Sequence, residues 1–263
     1  MIRNLALFLM MSIGTVSSAQ SIRLAVTTSF ENSGLADVLI PAIKSDIGLD
    51  VQLLVVGTGQ ALRLGAAGDV DAVLVHSRSA EDAFLAAGHG TYRREIMYND
   101  FILIGPSGLE TVDTITAAIS ALAASKPVFI SRGDDSGTHK AELRLWEAAN
   151  FDIADFGDWY VAVGAGMGAA LNTASAMDAY VLSDRASWLN FGNKGNLDIV
   201  FSGDPTLFNQ YAYLSVNPNK GKNVRHDRSL QLETWLTSDR ARYLINSHQI
   251  DGQSLFVFNA IKN

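Results

Sequence analysis

The feature that most constrains the fold of this chain is a regular alternation of strand-like and helix-like segments. Short apolar runs at residues 22–26 and 51–56 alternate with segments such as 34–47, where apolar residues recur at helical spacing. Parallel strands need long crossover connections, which are usually helices. The alternation therefore predicts an α/β protein in which mostly parallel sheets are flanked by helices.

The alternation stops and restarts once, which predicts two lobes rather than one. A strand-like run at 101–104 ends at Gly105-Pro106, a pair that breaks regular structure. A return strand is predicted at 211–216. We expect one lobe to contain residues 20–104 plus 212–263 and the other to contain 105–211, with a ligand cleft between them.

The first 19 residues have the composition of a secretory signal peptide. Arg3 provides a positive start, residues 5–16 are apolar, and Ser17-Ser18-Ala19 offers small residues for cleavage. The apolar run is shorter than the roughly 20 residues that a membrane span needs. We expect cleavage after Ala19 and a soluble product in the periplasm.

Charge and cysteine content exclude several kinds of site. The chain has no cysteine, which excludes disulfides, thiolate metal sites and lipid attachment to a lipobox cysteine. The formal net charge is −7, and no run of basic residues suggests a nucleic-acid partner. An acidic protein that binds an anion must hold it with a few well-placed donors.

Four predicted strand-to-helix turns carry small or hydroxyl residues, at 27–29, 57–60, 131–138 and 164–168. A helix N-terminus presents unpaired N–H groups and partial positive charge, which attract anions. Serine and threonine are also ordinary helix caps, and capping explains each turn taken alone. At the carboxyl ends of parallel strands, however, such turns lie together and form ligand sites.

The third turn gives the sharpest signal. Arg132 is followed by Ser136 and Thr138, so that a guanidinium fork and two hydroxyls stand at the start of a predicted helix. The alternative role of Arg132 is a salt bridge to Asp134 or Asp135. We favour anion binding and expect both aspartates to point away from the ligand, as caps or ion-pair partners.

In this order along the chain, the motifs resemble the tungstate-binding subfamily of periplasmic binding proteins. The similar segments are Val26-Thr27-Thr28-Ser29, Val56 to Leu62, Val75-His76-Ser77-Arg78, Met97 to Phe101, Ser131 to Lys140, Gly164 to Leu171, Gly203-Asp204-Pro205 and Trp235-Leu236-Thr237-Ser238. The resemblance implies a two-lobed class II binding-protein fold that closes on tungstate or molybdate and docks on an ABC permease. It implies a monomer that is not an enzyme and has no cofactor.

The resemblance also assigns the ligand contacts. The residues that match the family's binding motifs are Thr28, Ser29, Thr58, Arg132, Ser136 and Thr138, with backbone N–H groups from Gly166 and Met167. The family has three threonines before the serine. Here the first of these positions is Val26, which removes one hydroxyl.

Three alternatives remain. The Arg-x-x-x-Ser-Gly-Thr core is also similar to that of phosphate-binding proteins, so phosphate or sulfate is an alternative ligand. A ligand sensor that acts on a signalling partner is an alternative function. Gly164-x-Gly166-x-x-Ala169 with Asp184 fits a dinucleotide fingerprint, but it lies in the middle of a chain predicted to be exported. Ser136 and His139 lack the context of a nucleophile and base, and no cluster has metal-ligand spacing.

Overall fold

The computed structural model describes residues 20–261. The predicted signal peptide lies outside the described residues. Within the described range, no helix is both long enough and apolar enough to cross a membrane.

Twelve strands lie within residues 20–261. They are β1 (Gln20–Thr27), β2 (Leu49–Val56), β3 (Ala72–Val75), β4 (Gly90–Pro106), β5 (Phe129–Ser131), β6 (Tyr160–Ala162), β7 (Tyr180–Asp184), β8 (Leu197–Phe201), β9 (Phe208–Val216), β10 (Gln249–Ile250), β11 (Gln253–Ser254) and β12 (Val257–Phe258).

Ten α-helices lie in the same range. They are α1 (Thr28–Asn32), α2 (Leu35–Ile47), α3 (Thr58–Ala67), α4 (Arg78–Ala86), α5 (Ile115–Ser125), α6 (Gly137–Ala148), α7 (Met167–Met177), α8 (Arg185–Asn190), α9 (His226–Leu236) and α10 (Asp239–Ser247).

The first lobe is built on the parallel strands β2, β1 and β3, with β9 antiparallel beside β3. Side chains of β1 alternate between two apolar clusters. Ile22, Leu24 and Val26 pack with α2 and α9, whereas Ala25 packs on the opposite face with Val73. A parallel sheet buried on both faces is the arrangement that α/β alternation predicts.

The second lobe repeats this plan with the parallel strands β6, β5 and β7. One face of its sheet packs Phe129 against the fully buried Trp146 of α6. The other face packs Ile130 and Val181 against Leu171 of α7. Each lobe therefore has cores of its own on both faces of its sheet.

Two long antiparallel strands, β4 and β9, connect the lobes. Residues 90–100 of β4 pair with β9, and residues 101–106 pair with β7 and β8. The prediction of a strand only at 101–104 was too short, because the earlier part of β4 is charged. Arg93 there forms 2.6 Å ion pairs with Glu81 and Glu95, which offset the cost of burial.

The predicted fold class is confirmed: two α/β lobes carry parallel strand triplets flanked by helices, and antiparallel strands join them. The short helix α8 and the strand β8, between residues 185 and 201, were not predicted. Helix α5 begins at Ile115, because the Thr114 side chain caps it. The boundaries proposed at 104 and 211 stay a prediction.

Candidate functional site

A cavity of about 590 Å³ lies between the lobes, where the strand-to-helix turns of both converge. All four turns singled out in the sequence contribute to it. Every predicted ligand residue lines this one cavity, namely Thr28, Ser29, Thr58, Arg132, Ser136, Thr138, Gly166 and Met167. Val26 is fully buried in the apolar core of β1 and does not line it.

Three helices of ten or more residues begin at the cavity: α3, α6 and α7. The N-caps of α3 and α7 are Gly57 and Gly166, and neither makes a side-chain cap hydrogen bond. Their first-turn amides therefore keep their donors for other partners. Together with the helix dipoles, these amides add positive potential to a cavity that Asp134, Asp135 and Asp184 also line.

The cavity wall contributed by the first lobe, here called the first wall, includes the buried or hydroxyl side chains Thr27, Thr28, Ser29, Thr58 and His76, with Arg63 at its exposed rim. Its buried side chains are uncharged at neutral pH. The hydroxyl of Ser29 is hydrogen-bonded to Thr27 Oγ1 at 3.0 Å and to His76 Nε2 at 3.1 Å. Thr28, beside it, is exposed to the cavity.

Two buried rings fix Ser29 from behind. The Tyr211 hydroxyl lies 2.9 Å from Ser29 Oγ, and the His76 ring packs against the Tyr211 ring with centroids 4.7 Å apart. Burial lowers the pKa of His76 to about 4, so the ring is neutral at physiological pH. The contact between His76 Nε2 and Ser29 Oγ thus orients the Ser29 hydroxyl at the cavity.

The wall contributed by the second lobe, here called the second wall, carries charge. It consists of Arg132, Asp134, Ser136, Thr138 and Asp184. Arg132 is only 8% exposed, and its Nε and Nη2 donate to Asp134 Oδ2 at 3.1 and 2.5 Å. This pair uses two of the five guanidinium N–H groups. The salt-bridge role considered for Arg132 is thus realised inside the cavity.

The two aspartates of this turn do pair, as expected, but neither points away from the cavity. Asp134 also accepts from the Ser136 amide at 3.2 Å, and these contacts lower its pKa although burial opposes them. Asp135 lies at the rim, where its largely exposed carboxylate pairs with Lys140 at 2.6 Å. Arg63 of the opposite lobe lines the same rim and its charge helps to lower the pKa of Asp135.

The turn that carries Arg132 needs a glycine at position 133. Gly133 has φ of 61°, and a Cβ there would lie 2.9 Å from the Ala162 Cβ. A non-glycine residue would be strained in this conformation and would also clash with β6. Gly133 therefore fixes how Arg132 projects into the cavity.

A second glycine lets the two walls approach each other. A Cβ on Gly137, the first residue of α6, would lie 2.4 Å from Cε1 of His76. No side chain fits between these two positions. The backbone at the start of α6 thus packs directly on the first wall.

Unpaired buried polar atoms concentrate at this cavity. Among the described residues, eight buried side-chain N or O atoms have no hydrogen-bond partner, and half of them belong to cavity residues. These four are Thr58 Oγ1, His76 Nδ1, Asp184 Oδ2 and Ser187 Oγ. Because buried polar groups are nearly always paired, these four atoms are positions where ordered water or a polar ligand supplies the partner.

The sequence interpretation missed Asp184 as a cavity residue and weighed it only as a ribose-binding acid. It ends β7, lies 1% exposed, and accepts from the Ser187 amide at 2.9 Å as the N-cap of α8. The signal that could have found it is positional. β7 runs parallel to β5, so their carboxyl ends share an edge of the sheet.

The structure does not support the dinucleotide alternative. In such folds the ribose-binding acid ends the strand beside the glycine-rich turn. Here β5 separates β7, which carries Asp184, from β6, which precedes Gly164. The other catalytic alternative also fails: the His139 ring accepts from the Asp135 amide, and Ser136 Oγ accepts from the His139 amide.

No group of three or more His, Asp or Glu side chains in residues 20–261 could hold a metal ion. The cavity itself offers hydrogen-bond donors, helix N-termini and two guanidinium groups, the buried one of Arg132 and that of Arg63 at the rim.

Comparison with known proteins agrees with this geometry. The family model described as PBP superfamily domain matches residues 14–240. A protein of Peptoclostridium acidaminophilum named tungstate-binding protein TupA is 44% identical over 250 residues, which span 92% of this chain and 87% of that protein.

Two solved structures are also similar. The tungstate-binding protein TupA of Desulfovibrio alaskensis G20 has a TM-score of 0.84 and 38% identity, with 92% of this chain and 100% of that one covered. A structure described as the tungstate ABC transporter of Geobacter sulfurreducens has a TM-score of 0.78 and 42% identity, with coverages of 86% and 97%. The matched names describe binding and transport, and none describes an enzyme.

Proposed function

The chain belongs to the PBP superfamily, and from that premise we propose that it captures tungstate in the periplasm and delivers it to an ABC importer. Its similarity to proteins named as tungstate-binding supports this ligand. Its similarity to a structure described as a tungstate ABC transporter supports the role in import.

The observation that carries the proposal is the convergence of three long-helix N-termini and a buried guanidinium on one cavity between the lobes. Amides at helix starts and Arg132 are donors only, as a fully deprotonated oxyanion requires. Hydroxyls of Ser29, Thr58 and Thr138 add neutral donors. A tetrahedral dianion offers acceptor lone pairs in every direction, which suits donors arriving from two sides.

The binding residues proposed from the sequence are retained: Thr28, Ser29, Thr58, Arg132, Ser136 and Thr138, with the amides of Gly166 and Met167. Hydrogen bonds to a charged group contribute about 1.5–3 kcal/mol each when desolvated. Several such bonds together reach the roughly −12 kcal/mol that nanomolar affinity needs. The apparent role of lobe closure is to exclude water from them.

The proposed transport cycle needs the two lobes to move relative to each other about β4 and β9. Residues 20–104 plus 212–263 form one proposed body and residues 105–211 the other. The closed, loaded protein docks as a monomer on its permease. It catalyses no reaction and holds no cofactor, and export depends on cleavage of the signal peptide after Ala19.

A second ligand class has one observation in its favour. Asp184 is a buried carboxyl group at the cavity, and an ionised carboxylate there would accept a hydrogen bond from a protonated oxyanion such as hydrogen phosphate. Tungstate at neutral pH has no proton to offer. The two ligand classes therefore place opposite demands on this side chain.

Competitive titration calorimetry with tungstate, molybdate, sulfate and phosphate tests the proposal. We expect tungstate to bind with nanomolar affinity and to displace sulfate and phosphate completely. Tight binding of phosphate with no heat from tungstate would replace the proposed ligand with the alternative one. NAD, which the enzyme alternative requires, should not raise the melting temperature, whereas tungstate should, since it binds only the native state.

A further inference from the structure

Asp184 has a feature that its structural role does not explain. As the N-cap of α8 it uses Oδ1 to accept from the Ser187 amide at 2.9 Å. An asparagine would cap this helix equally well. The other oxygen, Oδ2, is buried at the cavity and has no hydrogen-bond partner among residues 20–261.

The surroundings disfavour an ionised carboxylate at this position. Asp184 is 1% exposed, and burial raises its pKa, although the Ser187 amide, the Ser187 side chain and the charge of Arg132 partly oppose this. The guanidinium of Arg132 forms its ion pair with Asp134, at 2.5 Å, and Asp184 Oδ2 receives no hydrogen bond from it. An unpaired ionised oxygen would therefore be held in a site of low dielectric constant without a partner.

The other charged and titratable groups near Asp184 come from several elements. They include Arg63, His76, Arg132, Asp134, Asp135 and Tyr211, Glu31 of α1, Asp100, which pairs with Arg185, and His139, Lys140, Glu142, Arg144 and Glu147 of α6. Near and above neutral pH, His76 stays neutral and Asp134 stays ionised, since the pKa of each is lowered. Tyr211 stays neutral because its pKa is raised.

A bound oxyanion affects whether Asp184 is an ionised carboxylate or a neutral carboxylic acid. A fully deprotonated dianion carries no hydrogen, so an ionised Asp184 would only repel it. A neutral carboxylic acid would instead donate Oδ2–H to it. This inference rests on the proposed function, because the argument requires an oxyanion without a proton.

We propose that Asp184 is a neutral carboxylic acid in the occupied site and donates its Oδ2 hydrogen to the oxyanion, so that it selects fully deprotonated oxyanions over protonated ones. The proton comes from solvent whenever Asp184 is ionised before the ligand arrives. A hydrogen phosphate would bring its own hydrogen into the place that the Asp184 hydrogen occupies. Asp184 is in this way a specificity-determining residue.

Infrared difference spectroscopy tests the protonation state directly. The spectrum of the tungstate-bound protein is compared at pH 8 with that of tungstate-bound Asp184→Asn, in which the amide still caps α8. We expect the carbonyl stretch of a carboxylic acid to be lost in the variant. The Glu142 carboxyl contributes equally to both spectra and cancels.

The matched control is Asp152→Asn, because Asp152 is also an N-cap, accepting from the Ala154 amide at 2.9 Å, but is exposed and does not line the cavity. This variant should keep the acid band. If Asp184→Asn does not fold, Asp184→Ser retains a capping hydroxyl and serves in its place.

Affinity gives a second readout. As pH rises through the range where Asp184 loses its proton, tungstate affinity of the unmodified protein should fall by up to tenfold per pH unit. The affinity of Asp184→Asn should not change with pH in that range. Tungstate bound tightly with an ionised Asp184 and no acid band would overturn this inference and leave the proposed function intact. Absence of tungstate binding at every pH would remove both.

Discussion

The two walls of the cavity differ in the chemistry of the side chains that face the ligand. The buried part of the first wall is neutral: Ser29 is held by Thr27, His76 and Tyr211, with distances of 2.9–3.1 Å. The second wall places Arg132, Asp134 and Asp184 in the same cavity. The difference indicates that the first wall sets the shape of the site and the second supplies its electrostatic affinity.

The strongest test of this division is Arg132→Ala. The change removes charged donors and leaves Asp134 unpaired beside the ligand, so we expect tungstate affinity to fall about a thousandfold, or about 4 kcal/mol. Titration calorimetry measures it. Arg93→Ala is the matched control, since Arg93 is similarly buried and paired with Glu81 but does not line the cavity.

That control should lower stability and leave affinity unchanged. If Arg132→Ala binds tungstate as tightly as the unmodified protein, the second wall does not supply the affinity and the comparison fails.

The second test uses pH, because buried titratable groups of the two lobes respond in opposite directions. Burial raises the pKa of Glu142, in α6, to about 7. As pH rises from about 4.5 to 7, the unfolded chain therefore loses this proton first, and the free energy of unfolding falls by about 3 kcal/mol. For His76, whose pKa is lowered to about 4, the free energy of unfolding falls instead as pH falls from about 6.5 toward 4.

Urea unfolding across this pH range measures the effect as a difference between variants. In Glu142→Gln the Trp146 and Tyr160 contacts can persist, at 3.3 and 2.5 Å in the unmodified protein. The variant should lose the decline between pH 4.5 and 7 and keep the decline at low pH. Identical pH profiles for the two proteins would contradict the assignment.

A third test probes where the walls meet. Gly137→Ala places a Cβ 2.4 Å from the His76 ring, so one wall must move back. Overpacking of this kind costs typically 1–3 kcal/mol, and we expect tungstate affinity to fall about thirtyfold. In Gly192→Ala the added Cβ meets nothing within 4 Å, and affinity should not change.

The smallest effect is expected on the first wall. Ser29→Ala removes one neutral hydroxyl, and we expect a loss of about 1 kcal/mol, or roughly fivefold in affinity. Ser33→Ala is the matched control, because the Ser33 hydroxyl does not line the cavity and bonds to Phe30 O and the Leu35 amide of its own turn. A loss from Ser29→Ala as large as that from Arg132→Ala would show that the walls contribute equally.

Much of this arrangement was predictable, because apolar periodicity identifies strands and the order of strands fixes which turns meet. The turns at Ser29, Thr58, Arg132 and Met167 followed from that rule. The charged first part of β4 did not, because its burial depends on partners far along the chain, such as Glu233 for Arg94. Local pattern contains no information about such pairs.

The role of Asp184 escaped prediction for a related reason. Its spacing from Gly164 fits a known fingerprint, but spacing along the chain does not tell which strands are neighbours. Because β5 lies between β6 and β7, the strand that carries Asp184 is not the neighbour of the strand that precedes Gly164. Likewise, the pairing of Asp134 with Arg132 depends on the conformation that Gly133 gives the turn.

The placement of β9 has a consequence for the order of events during synthesis. Val73 of β3 and Arg93 of β4 both pair with Leu214 of β9. Both strands therefore need a partner strand that is synthesised more than a hundred residues later. A nascent chain that ends before Phe208 lacks the strand that closes the first sheet. Folding that depends on such distant pairs is slow, so a newly made chain would stay unfolded for longer, as the proposed export requires.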